Sequence, residues 1–212
     1  MEAQERIVGK AHELFMRYGI RSVSMDEVAN HLGMSKKTIY QFYADKDSLV
    51  EDVINIEIRE KQGECTKHQE NSENAIHELF MAVDMLQELL SKMNPALIFD
   101  LEKYHPKAFK NYNEYKNTFL YSIIKKNLEW GKREGYYRQE IQADIMARFR
   151  LASIFLIFNP ELFPHGKHSL PLLVTEITDN FLYGLATLKG QKLIQKYKQQ
   201  RQKTETYEKK TI

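Results

Sequence analysis

A short polar stretch from residue 35 to residue 46, SKKTIYQFYADK, carries side chains whose types and spacing suit contact with a nucleic acid. At about 100° per residue, Lys37 and Gln41 point away from an apolar side that includes Ile39 and Phe42. Lysine can donate to guanine O6 and N7, and glutamine can pair with adenine through two hydrogen bonds. The pattern therefore predicts a helix that enters a DNA major groove.

The residues just before this stretch predict a second short helix that crosses it. Ser24 and Glu27 have the spacing of a capping box, in which each side chain bonds a backbone N–H of the other residue. Gly33 stands where the chain must reverse, and Ser35 can cap the helix that follows. The apolar residues expected to pack between the two helices are Val28, Leu32, Met34, Ile39 and Phe42. Together these features predict a helix-turn-helix.

The polar residues of this unit divide into two expected roles at DNA. We expect Lys36, Lys37 and Gln41 to read bases. The residues expected to bond phosphates are Thr38, Tyr40, Lys46 and, through its helix end, Ser24. The chain has a net charge of only +2, and its first fifty residues hold as many acidic as basic side chains. Attraction to DNA must therefore depend on where the lysines stand and not on total charge.

This segment resembles the N-terminal domain of the tetracycline-repressor (TetR) family of transcriptional regulators. The matching stretches are RIVGKAHELFMRYG and SMDEVANHLGMSKKTIYQFYADKDSLV. The family pattern T-[IL]-Y-x-[HY]-F-x-x-K-[ED]-x-L is met by Thr38, Ile39, Tyr40, Lys46, Asp47 and Leu49. Phe42 departs from it, because it stands where a phosphate-bonding His or Tyr is usual. Tyr43 could partly replace that contact only if its hydroxyl leaves the core. The resemblance covers about the first fifty residues.

The rest of the chain is helical by pattern, so the sequence predicts an all-α fold. We expect a three-helix DNA-binding domain at 1–46, a helical effector-binding and dimerisation domain at 47–190, and a basic tail at 191–212. A fourth helix should run to about Gly63, followed by a polar loop from Lys67 to Asn74. From Lys189 onward there are eight basic and two acidic residues. We expect a fraying helix and then disorder there.

Aromatic residues are concentrated between Phe99 and Trp130, where there are eight. An ordinary aromatic core would explain them equally well. The resemblance implies that the C-terminal helices enclose a ligand pocket in this part of the chain. The residues expected to line it are Phe99, Tyr104, Phe109, Tyr112, Tyr115 and Phe119.

Two later helices, 145–158 and 170–189, are expected to pair with their two-fold mates in a homodimer. The expected contacts are Phe149, Phe155, Ile177, Phe181 and Leu185. The alternative is that these helices only complete the core of a monomer.

Several functional classes find no support in the sequence. There is no phosphate-binding glycine loop and no nucleophile–base spacing, so we expect neither an enzyme nor a cofactor. His165 and His168 lie in a proline-rich loop without a helix to align them, so we expect no metal site. The single cysteine, Cys65, and the absence of a signal peptide or an apolar run of roughly 18 residues predict a cytoplasmic protein outside the membrane.

The sequence as a whole predicts a transcriptional regulator whose partner is double-stranded DNA. We expect a homodimeric repressor on a pseudo-palindromic operator, released by a small apolar or aromatic effector. The alternative is an all-α protein-interaction adaptor, or a small-molecule-binding protein, in which the helix-turn-helix is unused.

Overall fold

The computed structural model describes residues 3–164 and 166–208, and this part of the chain is built from α-helices. The helices are α1 (Ala3–Tyr18), α2 (Met25–Leu32), α3 (Lys36–Phe42), α4 (Lys46–Asn71), α5 (Ala75–Lys92), α6 (Leu97–Tyr104), α7 (Pro106–Tyr115), α8 (Tyr121–Arg133), α9 (Ala143–Leu156), α10 (Leu170–Leu185) and α11 (Leu188–Glu208). A π-helical turn, Lys116–Leu120, joins α7 to α8. Within the described ranges, no helix combines the length and apolar composition needed to cross a bilayer. The all-α expectation is confirmed.

The first three helices enclose a core of their own, which we call the N-terminal core. Ile7, Ala11 and Ile39 are completely buried in it, together with Leu49 and Val50 from the start of α4. The apolar stripe of α1 therefore packs across the helix-turn-helix, and the first turns of α4 close the same core.

Helix α4 is longer than the sequence indicated. It continues past Gly63 to Asn71, and the polar stretch expected as a loop supplies its last turns. That prediction was wrong because polarity alone does not end a helix that lacks an interior proline and has one face in solvent. Only residues 72–74 remain as a connection, and Asn74 caps α5 by accepting from the amides of Ile76 and His77.

Helices α6 and α7 attach the N-terminal domain to the rest of the molecule. Leu97, Leu101 and Ala108 belong to the N-terminal core, although they lie about fifty residues beyond the helix-turn-helix. The backbone N–H of Arg21 donates to the Asp100 carboxylate at 2.9 Å. The DNA-binding unit is therefore fixed to α6 by both apolar packing and a hydrogen bond.

The region expected as a basic tail begins as part of the folded body. Ile194 is completely buried, and the Tyr197 ring stacks on His77 at 5.3 Å between ring centres. The Tyr197 hydroxyl also donates to Glu73 at 3.1 Å. Helix α11 therefore packs on α5 over its first turns, whereas Lys209 and Lys210 lie outside the described residues.

Candidate DNA interface and buried cavity

The helix-turn-helix is held by the caps that its sequence predicts. The Ser24 hydroxyl accepts from the Glu27 amide at 3.2 Å, and the Ser24 amide donates to the Glu27 carboxylate at 2.6 Å. These bonds lower the pKa of Glu27. Gly33 has φ +63°, a conformation that suits glycine, and Ser35 caps α3 by accepting from the Thr38 amide. The predicted caps and turn are confirmed.

The inner face of α3 differs from the prediction at one residue. Ile39 and Tyr43 are buried in the N-terminal core, and Leu32 and Met34 pack against it. Phe42, expected at the crossing contact, is 42% exposed, so that prediction was wrong. Phe42 is the last residue of α3, and the chain then becomes extended at Tyr43 (φ −132°, ψ 116°). The core therefore receives the ring of Tyr43, while the ring of Phe42 faces solvent.

The outer face of α3 presents polar groups that are free to meet a partner. Lys37 and Gln41 are exposed and have no side-chain partner in the part of the chain that the structure describes. Tyr40 is 43% exposed. These three side chains form a surface that we call the α3 face.

Other predicted DNA contacts are already engaged within the protein. The Lys36 ammonium pairs with Asp26 at 2.8 Å, and the Thr38 hydroxyl lies 2.8 Å from that of Ser35. These groups are exposed, so their bonds compete with solvent and offer little hindrance to a phosphate. Ser24 is likewise exposed but tied into its capping box.

Lys46 and Tyr43 are turned towards the protein. The Lys46 ammonium donates to the Ile20 carbonyl at 2.6 Å, and burial lowers its pKa. The Tyr43 hydroxyl donates to Asp52 at 2.5 Å, and burial together with this bond raises its pKa to about 12. Tyr43 therefore does not supply the phosphate contact that Phe42 lacks.

A buried cavity of about 240 Å³ lies where the N-terminal domain meets the C-terminal helices. Its wall is mostly apolar and receives residues from α1, α4 to α10 and the π-helical turn. Tyr112 and Tyr115, two of the six aromatic residues expected at a pocket, line it. Tyr115 ends α7 beside the π-helical turn, a distortion that often occurs at functional sites.

The other four aromatic residues do not line this cavity, so their expected membership was wrong. Phe99 is 56% exposed on α6, and the Tyr104 ring lies under the Arg21 guanidinium. Phe109 packs against the N-terminal core, and Phe119 stacks on Tyr115 from outside. Aromatic density predicted the correct region, but each ring points where its own helix face directs it.

The cavity wall also carries buried polar groups that were not predicted from the sequence. The Glu78 carboxylate accepts from the Asn127 amide at 2.8 Å, and the Tyr137 hydroxyl donates to the same Asn127 side chain at 3.2 Å. Burial raises the pKa of Glu78. Arg150 is also buried and lines the cavity. The sequence held a signal for Arg150. It lies on the same helical face as Ala147, and that face is otherwise apolar over two turns, so a charged residue there is unusual.

An exposed apolar stripe runs along α9. It consists of Ile145, Phe149, Ala152 and Leu156, spaced to lie on one side of the helix. Ile145 and Phe149 are each 56% exposed and Leu156 is 42% exposed. Single exposed apolar residues are ordinary, but a continuous stripe is typical of an interaction surface.

The expected dimer residues separate into different environments. Phe149 lies on the exposed stripe, and Ile177 is half-buried. Phe181 and Leu185 are buried within the protomer, and Phe155 lines the cavity, so placing these three at a dimer surface was wrong. The apolar pattern of α10 is the same whether its apolar face packs on the protomer's own core or on a partner, so the sequence did not distinguish the two.

No cluster of three or more His, Cys, Asp or Glu side chains suitable for a metal occurs among the residues that the structure describes. His165, which lies three residues before His168 in the proline-rich loop, is outside the described residues.

Known proteins resemble this chain in both sequence and fold. Residues 7–53 match the family described as bacterial regulatory proteins, tetR family. An uncharacterized HTH-type transcriptional regulator of Bacillus subtilis (strain 168), YvaF, is 28% identical over 158 residues, which cover 74% of this chain and 82% of YvaF.

Solved structures share the fold over most of the chain. A TetR-family transcriptional regulator from Agrobacterium tumefaciens has a TM-score of 0.73 at 16% identity, covering 87% of this chain and 97% of its own. A transcriptional regulator from Saccharomonospora viridis, in complex with choline, has a TM-score of 0.70 at 19% identity, covering 87% and 98%. The capped helix-turn-helix lies within the segment that matches the tetR family, and the helical architecture of the rest of the chain is similar to that of TetR-family regulators, which supports a DNA-binding transcriptional regulator of this family.

Proposed function

We propose that the protein is a homodimeric repressor that binds a pseudo-palindromic operator and releases it when a small molecule occupies the cavity. The observation that carries the proposal is the α3 face, where Lys37 and Gln41 are exposed and have no partner among the described residues. Their donors suit guanine and adenine edges in a major groove. Thr38, Tyr40 and the helix end at Ser24 are the proposed phosphate contacts, and Lys36 joins the base readers if it exchanges Asp26 for DNA.

A homodimer would place two α3 faces on one side of the DNA. Helix-turn-helix readers bind half-sites about 34 Å apart, or at multiples of this distance, and the two-fold symmetry of the operator mirrors that of the protein. The stripe on α9 supports this arrangement, because it would be covered if α9 and α10 met their mates in a four-helix contact. We expect the protein to act in the cytoplasm, because its proposed partner is chromosomal DNA.

The cavity offers a route from ligand to DNA. Helix α4 begins at Lys46, with three residues between it and the end of α3, and further along it contributes Val53, Ile54 and Glu57 to the cavity wall. A ligand that fits better when α4 is tilted would change the separation of the two α3 faces. The shift would be limited by the difference in its affinity for the two states. The Saccharomonospora viridis regulator, which holds choline, supports an effector role for a small molecule.

Selection of bound sequences from a random pool of duplex DNA by the purified full-length protein tests the proposal. We expect enrichment of a sequence with two-fold symmetry, whose affinity falls steeply with salt. The matched variant Lys37→Ala should enrich a different or more degenerate half-site. Failure of the wild-type protein to enrich any symmetric sequence at low salt would overturn the proposal.

One observation favours the second candidate, a protein-interaction adaptor. The exposed ring of Phe42 adjoins the α3 face, and aromatic residues are enriched at protein interfaces. If the adaptor role is correct, Phe42→Ala should abolish partner capture, whereas duplex DNA selection should give no motif.

A further inference from the structure

Arg150 is a buried cation at the wall of the cavity, and its hydrogen bonding is incomplete. It is 4% exposed, on the inner face of α9. Its Nη2 donates to the Thr178 hydroxyl at 2.7 Å, and its guanidinium lies over the Phe181 ring at 5.2 Å. Its Nη1 has no hydrogen-bond partner among the described residues. A charged donor therefore stands beside an apolar cavity with part of its capacity unused.

The carboxylates that face the same cavity do not neutralise Arg150. Glu78, on α5, is bonded to Asn127 of α8, and its pKa is raised by burial and not lowered by a nearby cation. Glu57, on α4, lies 2.9 Å from the His12 imidazole and 3.9 Å from the Lys61 ammonium. Within the described part of the chain, Arg150 forms no ion pair with either carboxylate.

A buried charge without a counter-charge is costly, and removing that cost is a source of binding free energy for a ligand that supplies the counter-charge. The guanidinium group is planar and matches a carboxylate better than a point charge does. An N–H donor that is already desolvated gains a charge-assisted hydrogen bond without first losing water. The rest of the wall is mostly apolar and includes the rings of Tyr112, Tyr115 and Phe155.

We propose that the effector is an amphipathic monoanion, with one carboxylate that pairs with Nη1 of Arg150 and an apolar body that fills the aromatic part of the cavity. This inference rests on the proposed function, because it names the class of molecule that acts at the same cavity. Neutral molecules of the same shape should bind less tightly, since they leave the guanidinium unpaired.

The surroundings of Arg150 connect this site to the exposed stripe of α9. The Phe181 ring beneath the guanidinium also stacks on the Phe149 ring, with 6.3 Å between ring centres. Arg150 and Phe149 are neighbours in sequence, about 100° apart around α9, and both contact the Phe181 ring. An anion that draws the guanidinium into the cavity therefore acts on the two rings that lie next to the proposed dimer surface.

The test uses the full-length protein and three probes that share an eight-carbon chain: octanoate, 1-octanol and octylamine. Binding is measured by calorimetry at neutral pH, where octanoate is ionised and octylamine is protonated. We expect octanoate to bind about tenfold or more tightly than 1-octanol, as one charge-assisted hydrogen bond allows, and octylamine to bind most weakly. Arg150→Gln should remove the preference for octanoate over 1-octanol.

Glu78→Gln is the matched control, because it changes a second buried ionisable side chain on the wall of the same cavity. It should retain the octanoate preference, and an equal loss in both variants would overturn the assignment to Arg150. Arg150→Lys keeps the positive charge and should keep part of the preference. If Arg150→Gln does not fold, the comparison of the three probes on the wild-type protein still decides the ligand class.

Failure of this inference is distinguishable from failure of the proposed function. Octanoate binding no tighter than that of 1-octanol overturns the ligand class, even if DNA selection yields a symmetric operator. Selective octanoate binding without any change in operator affinity overturns its role as an effector. Absence of a symmetric operator overturns the proposed function, whatever the calorimetry gives.

Discussion

The Lys46 ammonium donates a hydrogen bond of 2.6 Å to the backbone carbonyl of Ile20, and it lies 3.5 Å from that of Arg21. These carbonyls belong to the connection between α1 and α2. The first residue of α4 therefore stabilises the loop that precedes the helix-turn-helix. The sequence predicts a phosphate contact for this lysine, because it stands at the N-terminus of a helix. In this structure its charge is directed at the protein's own backbone.

Lys46→Ala should therefore lower stability as well as DNA affinity. Loss of one charged hydrogen bond at a half-buried position predicts about 1 kcal/mol in the free energy of unfolding, measured with urea. DNA affinity should fall similarly for operator and unrelated sequences, because the whole unit shifts. A salt slope reduced by about 1 with stability unchanged would instead identify Lys46 as a direct phosphate contact.

Lys37→Ala should weaken binding to the preferred sequence more than to others. A lysine that donates to guanine contributes about 1–3 kcal/mol of discrimination. Lys36→Ala is the matched control, because Lys36 is adjacent but already paired with Asp26, and its effect should be smaller. The measurement is fluorescence anisotropy on operator and scrambled duplexes. A uniform loss across sequences for Lys37→Ala would exclude it as a base reader.

Phe149→Asp should convert the protein to a monomer if the α9 stripe is the dimer surface. A carboxylate placed in an apolar contact must lose its hydration without gaining a partner. Phe99→Asp is a close control, because both phenylalanines are 56% exposed and Phe99 lies on α6. Sedimentation equilibrium reports the mass of each variant. Retention of a dimer by Phe149→Asp would place the interface elsewhere.

Gly131→Ala should destabilise the fold. A Cβ at this position would lie 2.1 Å from the Tyr137 ring, which is completely buried and cannot move aside without disturbing its neighbours. Overpacking of this kind costs about 1–3 kcal/mol. Gly63→Ala, in the middle of α4 with nothing within 4 Å, should stabilise by about 0.5–1 kcal/mol. Urea unfolding of both variants gives the comparison, which would fail if the two changes had the same sign.

Cys65 should make stability depend on alkaline pH. Burial raises the pKa of its thiol to about 11, from an ordinary value near 9.0, so the folded protein holds this proton more tightly than the unfolded chain does. The contribution is complete below pH 9 and is lost as pH rises towards 11. Between these pH values the free energy of unfolding of the wild type should therefore fall relative to that of Cys65→Val, which has no thiol to titrate. An unchanged difference would show that the thiol titrates normally in the folded protein.

The helix-turn-helix could be predicted in detail because the interactions that define it are local. Ser24 and Glu27 are three residues apart, and so are Ser35 and Thr38, so sequence spacing alone brings their atoms within hydrogen-bond distance. Gly33 marks the turn for the same reason. Phe42 was misplaced because α3 ends there, and helical periodicity no longer describes the direction of the next residue.

By itself, then, the sequence determined the helix-turn-helix, its caps and the residues of the α3 face. The tertiary structure alone decided which faces of distant helices meet. It placed Arg150 of α9 and Tyr112 of α7 on the wall of one cavity, and it buried Phe181 within the protomer while leaving Phe149 exposed. Helical periodicity gives each residue an angle about its own axis, but the rotation of one helix against another depends on the packing of all of them together.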